Sequence, residues 1–293
     1  MEKQNTVVFH LIALFVIIVW GTTMVSTKML LREGLSPKEI MLIRFCIAYV
    51  FLWVLYPRMH KVRSWRDELI LFGMGITSGS MYFLFENTAL VYTSVTNVAI
   101  IGALIPLLTA LLTHFVFRES RLTRLFWAGT VISVAGTALV ILNGNFSLEI
   151  NPKGDFLALI SIIIWSFYGV LSKCLKGEYS SLFITRNIFF YGILTLLPYF
   201  LFEPFAVSLQ TLLKPSVLWN LVFLGFIASS MCYFLWTFSL KKLGVVKTNN
   251  YIYFSPLITI LTAHVVLGEP ITVYVAGGTA LIICGLWIAS VRK

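Results

Sequence analysis

The sequence predicts an all-α membrane protein with ten transmembrane helices, arranged as two inverted repeats of five helices each. Three observations lead to this prediction: an apolar composition, a regular series of apolar runs, and ordered residue matches between the two halves. Of 293 residues, 59% are hydrophobic and only 12% are charged, whereas soluble domains contain about 25% charged residues. A soluble core of this size could not bury so much apolar surface, so we expect an integral membrane protein.

Ten apolar runs are each long enough, at roughly 17–25 residues, to cross a hydrocarbon core as a helix. They cover 9–30, 38–56, 69–91, 94–117, 123–142, 154–174, 180–202, 216–240, 246–267 and 271–290. The first run is too long for a signal-peptide core and lacks a cleavage site after it, so it is expected to be a retained span. The longest polar break has Asn-Gly-Asn and Asn-Pro turn chemistry. It divides the chain into a first repeat, 9–142, an outside linker, 143–153, and a second repeat, 154–290.

The net charge of +10 does not indicate a nucleic-acid partner, because the basic residues lie in short links between apolar runs. With a cytoplasmic N-terminus, the inside segments would hold fifteen Lys and Arg residues and the outside links four. The inside set is Lys3, Arg58, Lys61, Arg63, Arg66, Arg118, Arg121, Arg124, Lys173, Lys176, Lys241, Lys242, Lys247, Arg292 and Lys293, and the outside set is Arg32, Lys38, Lys153 and Lys214. Basic residues concentrate on the cytoplasmic side. Both termini are therefore expected in the cytoplasm, with the protein in the inner (plasma) membrane of a bacterium.

The second half of the sequence repeats features of the first half in the same order. The matches pair Trp20 and Lys28 with Trp165 and Lys173, Arg44 with Arg186, Tyr82-Phe83-Leu84 with Tyr233-Phe234-Leu235, Pro106, His114 and Glu119 with Pro256, His264 and Glu269, and Gly129 and Gly136 with Gly278 and Gly285. Each repeat has an odd number of spans, so the second copy must enter the membrane from the opposite side. Inverted repeats are typical of transporters, whose substrate site lies near the bilayer midplane where the halves meet.

Several short motifs carry a resemblance to a known family. They are Trp20-Gly21, Arg44-Phe45, Ala89-Leu90-Val91-Tyr92-Thr93-Ser94, Pro106-Leu107, Arg118-Glu119, Ser255-Pro256-Leu257 and Leu267-Gly268-Glu269-Pro270. On these residues the chain resembles the drug/metabolite transporter superfamily, EamA type, with two EamA-like domains over about residues 9–290. The resemblance implies the fold and a transport function, and it leaves the substrate open among amino acids, metabolites and drugs.

Charged side chains within a span cost roughly 2.5–3.5 kcal/mol on insertion scales, so each needs a partner or a role. Glu86 is the one acid that falls inside a span rather than at its end. It could bind a substrate amine, carry a coupling proton, or pair with Arg44 as a structural ion pair. Arg44 and Arg186 occupy related positions in spans 2 and 7, and a structural or gating role is favoured over binding of a substrate carboxylate.

Aromatic and polar residues in helical register mark the expected wall of a cavity. The candidate substrate-binding residues are Trp20, Tyr82, Glu86, Asn97, Trp165, Tyr168, Tyr233, Trp236, Asn250 and Tyr253. Buried Tyr and Trp need partners for their polar tips, which a wet cavity can supply. The alternatives are lipid-facing aromatics and asparagines that tie helices together.

Prolines and glycines predict how the helices bend and approach one another. Pro106 and Pro256, near the centres of spans 4 and 9, each remove a helical N–H and favour a kink, which is either a gating hinge or a static bend. On spans 5 and 10 the glycines are spaced seven residues apart, at Gly129, Gly136, Gly278 and Gly285. Small residues at this spacing let helices approach closely, which predicts scaffold helices or a homodimer contact through spans 5 and 10.

No motif points to a catalytic site, a metal site or a cofactor. The four cysteines and four histidines are scattered, and the sequence has no GxxxxGK[ST] segment for ATP. We therefore expect a secondary transporter, an exporter of small metabolites such as amino acids or related amphiphilic compounds, that works by alternating access in a lipid bilayer. The alternatives are a membrane-embedded enzyme acting on a lipid or isoprenoid, which needs paired acids or a histidine cluster, and a channel, which needs a continuous polar stripe.

Overall fold

The computed structural model describes residues 2–57, 62–118, 123–142, 152–175 and 179–290, and this part of the chain is helical with short links. The helices are α1 (Glu2–Arg32), α2 (Pro37–Leu55), α3 (Trp65–Tyr92), α4 (Val95–Phe117), α5 (Arg124–Leu142), α6 (Pro152–Cys174), α7 (Ser181–Phe202), α8 (Pro215–Leu243), α9 (Val245–Leu267) and α10 (Val273–Ser290), with a one-turn helix at Leu209–Leu212 before α8. Among these described residues, α1, α3, α4, α6, α7, α8 and α9 are long and apolar enough to cross a membrane. The protein is therefore an all-α membrane protein.

The helices begin at residues that satisfy their free backbone N–H groups. The Ser36 side chain accepts from Glu39 N, and the Glu39 side chain in turn accepts from the Ser36 backbone, which forms a capping box at the start of α2. Ser94 and Ser180 cap α4 and α7 with their side chains alone, which accept from Asn97 N and Phe183 N. A short polar link with a serine cap is sufficient to start each of these apolar helices.

Five of the helices are interrupted within their length, and in α7 the break lies at Leu197 and Pro198. α3 and α8 each contain a π-helical stretch, at Gly75–Ser80 and Phe223–Met231. α4 breaks at Ala103 and Leu104, just before Pro106. α9 contains a 3₁₀ turn, Asn250–Phe254, just before Pro256. Pro106 and Pro256 both lie in the first turn of a new helical segment, where a missing N–H has no cost, so the predicted kinks are present at both positions.

Helices from the two halves of the chain pack against each other in matching pairs. α1 packs on α8 and α9, and α6 packs on α3 and α4. α2 packs on the π stretch of α8, and α7 packs on the π stretch of α3. Glycines allow these approaches, because a Cβ on Gly75 would lie 2.4 Å from Tyr191 Cβ and one on Gly225 would lie 2.7 Å from Ile47 Cβ. The centre of the molecule is therefore an interface between the two halves.

The last helices of the two halves, α5 and α10, pack against each other along the faces that carry their glycines. A Cβ on Gly136 would lie 2.7 Å from Gly278 O, and one on Gly285 would lie 2.6 Å from Gly129 O. These four glycines thus serve a contact within one chain, away from the central interface. The homodimer through α5 and α10 stays a prediction, and it would have to use their remaining faces.

Candidate functional site

A small cavity of about 60 Å³ lies at the interface between the two halves. Its wall is formed by Ile17, Trp20, Thr23, Met24, Arg44, Tyr82, Phe83, Glu86, Ala99, Gly102, Ile105, Trp165, Tyr233, Ile252 and Ser255. These residues come from α1, α2, α3 and α4 of the first half and from α6, α8 and α9 of the second. A ligand in this cavity would touch both halves at once.

Four of the aromatic rings in the cavity wall pack together. The Trp20 ring lies 5.7 Å from Trp165 and 5.3 Å from Tyr233, measured between centroids, and Tyr82 lies 4.7 Å from Trp165. Trp20 and Trp165 occupy matching positions in α1 and α6, as do Tyr82 and Tyr233 in α3 and α8. Residues from matching positions of the two halves therefore meet at one place, and the Trp20 and Trp165 rings meet edge to face.

The polar tips of two of these rings are anchored in the π-helical stretches. Trp20 donates from Nε1 to Ala228 O over 3.0 Å, and Tyr233 donates from its hydroxyl to Ser78 O over 2.7 Å. A π stretch interrupts the regular α-helical hydrogen bonding, which makes carbonyls available to outside donors. Each anchor crosses from one half of the chain to the other.

The cavity contains both a carboxylate and a guanidinium group. Glu86 accepts a hydrogen bond from the Tyr82 hydroxyl one turn earlier on α3. Arg44 donates from Nε to Ser229 Oγ over 2.9 Å, and its guanidinium lies 4.4 Å from the centre of the Phe83 ring. The ion pair of Glu86 with Arg44, one of the three roles that the sequence left open, is not formed at ion-pair distance: within the described residues each side chain has another partner, although their charges are close enough to attract.

One end of the molecule is closed by hydrogen bonds around the α3–α4 hairpin. Lys28 of α1 donates to the carbonyls of Leu90 and Thr93, the second at 3.2 Å. Thr93 donates from Oγ1 to Asp155 Oδ1 at 2.9 Å, and Asn97 donates to the Thr93 hydroxyl at 3.2 Å. We call these residues the hairpin cluster. Because Asp155 belongs to the first turn of α6, the cluster ties the hairpin to both halves.

Glu269 adds a further contact at the same end, from the link between α9 and α10. Its carboxylate accepts from Val95 N at 3.0 Å, from Thr96 N at 3.1 Å and from Thr96 Oγ1 at 2.6 Å. A carboxylate at a helix N-terminus satisfies free N–H groups and interacts favourably with the helix dipole. Glu269 thus fixes the α9–α10 link against the start of α4, whereas the matching Glu119 lies outside the described residues.

The opposite end of the molecule has an open vestibule of about 370 Å³. It is lined by Met74, Tyr168, Ser172, Lys173, Leu175, Ile184, Thr237, Leu240, Lys241, Leu243, Gly244, Val245, Val246 and Lys247. The vestibule reaches Tyr168, whose ring lies 5.2 Å from Trp165 of the cavity wall. These two rings therefore lie between the vestibule and the cavity.

The structure brings together half of the predicted binding residues. Those that line the cavity are Trp20, Tyr82, Glu86, Trp165 and Tyr233. The predictions for Asn97, Tyr168, Trp236, Asn250 and Tyr253 as cavity residues are not supported by this geometry. Asn97 lies in the hairpin cluster, Tyr168 lines the vestibule, and Trp236 is fully buried behind Trp20 at 5.0 Å. Asn250 lies in the 3₁₀ turn of α9 away from the wall, and Tyr253 packs on an apolar cluster near α10.

The two arginines differ in their surroundings. Arg186 donates from Nη1 to Tyr56 O over 2.7 Å and lies 4.4 Å from the centre of the Trp53 ring, so it anchors the end of α2. This agrees with its predicted structural role. Arg44 lines the cavity, where sequence reasoning had favoured a structural anchor. Phe83 also lines the cavity and was missed, and its position beside Tyr82 was the available signal.

Comparison with known proteins gives a consistent result over almost the whole chain. The EamA-like transporter family matches residues 8–142 and 152–291. An uncharacterized transporter of Archaeoglobus fulgidus is 28% identical over 94% of this chain and 95% of that protein. A probable amino-acid metabolite efflux pump of Salmonella typhimurium is 26% identical over 94% of this chain and 93% of that protein.

A solved crystal structure shares the fold, with a TM-score of 0.70 over 96% of this chain and 98% of the other, at 22% identity. The family match covers each half of the chain separately and agrees with the resemblance read from the sequence motifs. The relatives are named as transporters, which identifies a transporter rather than an enzyme. The chain belongs to the EamA-like transporter family and is an integral membrane transporter.

Proposed function

We propose that this protein is a secondary transporter that exports small metabolites, amino acids or related amphiphilic compounds, by alternating access. The observation that supports this most directly is the cavity between the halves and the unequal state of its two ends. The hairpin cluster closes one end of α6, where Asp155 lies, and the vestibule opens at the other end, where Lys173 lies. A carrier caught in one of its two states has this arrangement.

In this proposal all ten helices cross the membrane and the two halves are inverted repeats. The matched packing of α1 on α8 and of α6 on α3 supports a repeat relationship, as do the matching breaks before Pro106 and Pro256. The Lys- and Arg-rich links support a cytoplasmic position for the vestibule end. Reporter tags fused to the two termini test this topology, and both are expected on the cytoplasmic side of the inner membrane.

The matched lysines suggest how the two ends alternate. Lys28 closes its end by donating to the Leu90 and Thr93 carbonyls. Tyr233 follows Tyr82 at a fixed offset in the sequence. The same offset relates the Leu90 and Thr93 carbonyls to the carbonyls of Lys241 and Gly244, which line the vestibule. Lys173, the counterpart of Lys28, here lies 4.7 Å from the centre of the Phe117 ring. In the other state, Lys173 would bond to the α8–α9 hairpin and Lys28 would release the α3–α4 hairpin.

Two observations support small amphiphilic metabolites as substrates. The cavity wall combines aromatic rings with one acidic and one basic side chain, and ligand sites are commonly apolar with a few placed polar groups. The Salmonella typhimurium relative is named a probable amino-acid metabolite efflux pump. Because the sequence has no ATP-binding motif, the energy is proposed to come from an ion gradient or from exchange.

Counterflow in liposomes tests the proposal. Purified protein is reconstituted into liposomes loaded with a mixture of amino acids, purines and short carboxylic acids, and the uptake of each labelled solute is measured against its concentration. If the protein is a carrier, the uptake of a labelled solute should saturate as its concentration rises. The uptake should also depend on the presence of the same solute inside the liposomes. Uptake that rises linearly with concentration would indicate a channel, and the absence of any protein-dependent uptake would contradict the proposal.

A further inference from the structure

The Arg44 guanidinium is buried inside a membrane protein with hydrogen-bonding capacity left over. The residue is 2% exposed, and Nε is bonded to Ser229 while the ring of Phe83 covers one face. No described residue accepts a hydrogen bond from its Nη groups, and the side chain lines the cavity. Guanidinium groups present paired donors that match a carboxylate. This residue is thus held by its Nε in a position where the Nη groups are free for a ligand.

Glu86, on the same cavity wall, likewise has a hydrogen-bonding atom that no described residue uses. The residue is 6% exposed, and the hydrogen bond from the Tyr82 hydroxyl occupies one carboxylate oxygen. The other oxygen accepts no hydrogen bond from a described residue, and the side chain lines the cavity. A buried carboxylate without a cationic partner at ion-pair distance is costly, because burial removes its hydration.

We propose that Glu86 and Arg44 together bind the charged head of a zwitterion, the ammonium group on Glu86 and the carboxylate on Arg44. This deepens the proposed function and depends on it. The aromatic rings of Trp20 and Trp165 then receive the apolar part of the ligand. A ligand with one ammonium and one carboxylate pairs both protein charges and leaves the filled cavity neutral, so the substrate class is an amino acid with both groups free.

Ligands with only one charge would leave one protein charge buried without a partner. An amino-acid amide keeps the ammonium and leaves Arg44 unpaired, and an N-acetyl amino acid keeps the carboxylate and leaves Glu86 unpaired. Sites that rely on buried polar groups discriminate strongly against analogues that cannot pair them. A lost hydrogen bond to a charged group corresponds to about a 10–100-fold loss of affinity. Each capped form should therefore compete at least about tenfold more weakly than the free amino acid.

The experiment is counterflow in proteoliposomes with a mixture of the twenty standard amino acids, together with monocarboxylates, polyamines and nucleosides. The best-transported amino acid is then compared with its own amide and N-acetyl forms as competitors. The variants are Glu86→Gln and Arg44→Gln, and the control is Glu33→Gln, which removes a charge from the partly exposed pair with Lys214 outside the cavity wall. In Glu86→Gln the apparent affinity of the N-acetyl form should rise about tenfold relative to that of the free amino acid. In Arg44→Gln the apparent affinity of the amide should rise by about the same factor.

The opposite shifts of preference in the two variants cannot arise from general loss of folding, because misfolding weakens all ligands alike. If an amino acid is transported but its capped forms compete equally well, or if the variants leave the preference unchanged, zwitterion recognition is wrong and the transporter proposal stands. Saturable transport of monocarboxylates, polyamines or nucleosides without any amino acid would likewise contradict zwitterion recognition and leave the transporter proposal standing. If no solute shows saturable uptake, both proposals fail together.

Discussion

Tyr82 connects the aromatic wall of the cavity with its acidic group. The residue lies four positions before Glu86, so both side chains project from the same face of α3. Its hydroxyl donates to the Glu86 carboxylate, while its ring packs on Trp165 with 4.7 Å between centroids. The ring therefore belongs to the packing of the two halves, and the hydroxyl determines how the carboxylate is oriented.

These two roles can be separated by the substitution Tyr82→Phe. The ring packing is kept, so we expect unchanged expression and thermal stability. Loss of a hydrogen bond to a charged group should weaken the apparent affinity for the transported solute by about tenfold. The matched control is Tyr274→Phe, because Tyr274 is a partly exposed residue of α10 away from the cavity. Equal apparent affinities in the two variants, measured by counterflow, would contradict this role of the hydroxyl.

Sequence reasoning found the cavity residues whose signal is local and missed those whose position depends on distant contacts. Trp20 and Trp165 were found because the repeat matches them, and both line the cavity. Asn97 has a similar pattern, but its amide faces Asp155 across a gap of 58 residues. Trp236 shares a helix face with Tyr233, yet the Trp20 ring covers it. The spacing of residues along one helix shows which side chains share a face. It does not show which other helix will pack against that face.

At the scale of helices, the start of α4 depends on a residue far along the chain. Glu269 accepts from two backbone N–H groups and one hydroxyl at Val95 and Thr96. This contact replaces water at a helix N-terminus and also joins the α9–α10 link to the α3–α4 hairpin. The closed end of the molecule is thus stabilised by helix capping between elements.

Removal of this cap should be measurable in the purified protein. We expect Glu269→Ala to lower the free energy of unfolding by about 1–2 kcal/mol, the usual range for loss of an N-terminal cap. The comparison is Glu33→Ala, which removes an exposed ion pair with Lys214 and should cost less than about 1 kcal/mol. Thermal unfolding in detergent ranks the two variants. Equal destabilisation would show that Glu269 contributes no more than a surface charge.

The α5–α10 contact makes a second prediction at this scale. A Cβ on Gly136 would lie 2.7 Å from a backbone carbonyl of α10, so Gly136→Ala must push the helices apart and should cost about 1–3 kcal/mol. On Gly277 the nearest atom would be Leu139 Cδ2 at 3.9 Å, so Gly277→Ala should be close to neutral. Thermal unfolding of both variants checks the difference. A stable Gly136→Ala protein would mean that these faces are not in close contact.

In the molecule as a whole, the two halves carry corresponding residues, but the two ends of the molecule differ in structure. The same kinds of residue, Lys28 and Lys173, lie at the two ends, but one is bonded to a hairpin and the other borders an open vestibule. The sequence predicted the helices well, because the length of an apolar run determines where a helix can form, while the inverted repeat stays a prediction. The sequence could not predict which end the hairpin cluster ties together, because Lys28 and Asp155 meet the α3–α4 hairpin only through contacts between residues far apart in the chain. Nor could it predict the π stretches of α3 and α8, which have no local residue signature.

The central claim is that the two ends open in turn around one cavity. Spin labels at Arg32 and Tyr92 report the distance between α1 and the α3–α4 hairpin, and labels at Leu175 and Lys247 report the distance between α6 and the α8–α9 hairpin. Lys28→Met removes the two hydrogen bonds from Lys28 to the α3–α4 hairpin, and Lys173→Met removes the proposed bonds of the other state.

Pulsed electron resonance in liposomes measures both distances in the wild type and in the two variants. We expect Lys28→Met to lengthen the Arg32–Tyr92 distance and shorten the Leu175–Lys247 distance. We expect Lys173→Met to favour a short Arg32–Tyr92 distance and a long Leu175–Lys247 distance. If both distances lengthen together in one variant, or if neither distance changes in any variant, the two ends do not alternate and the account is wrong.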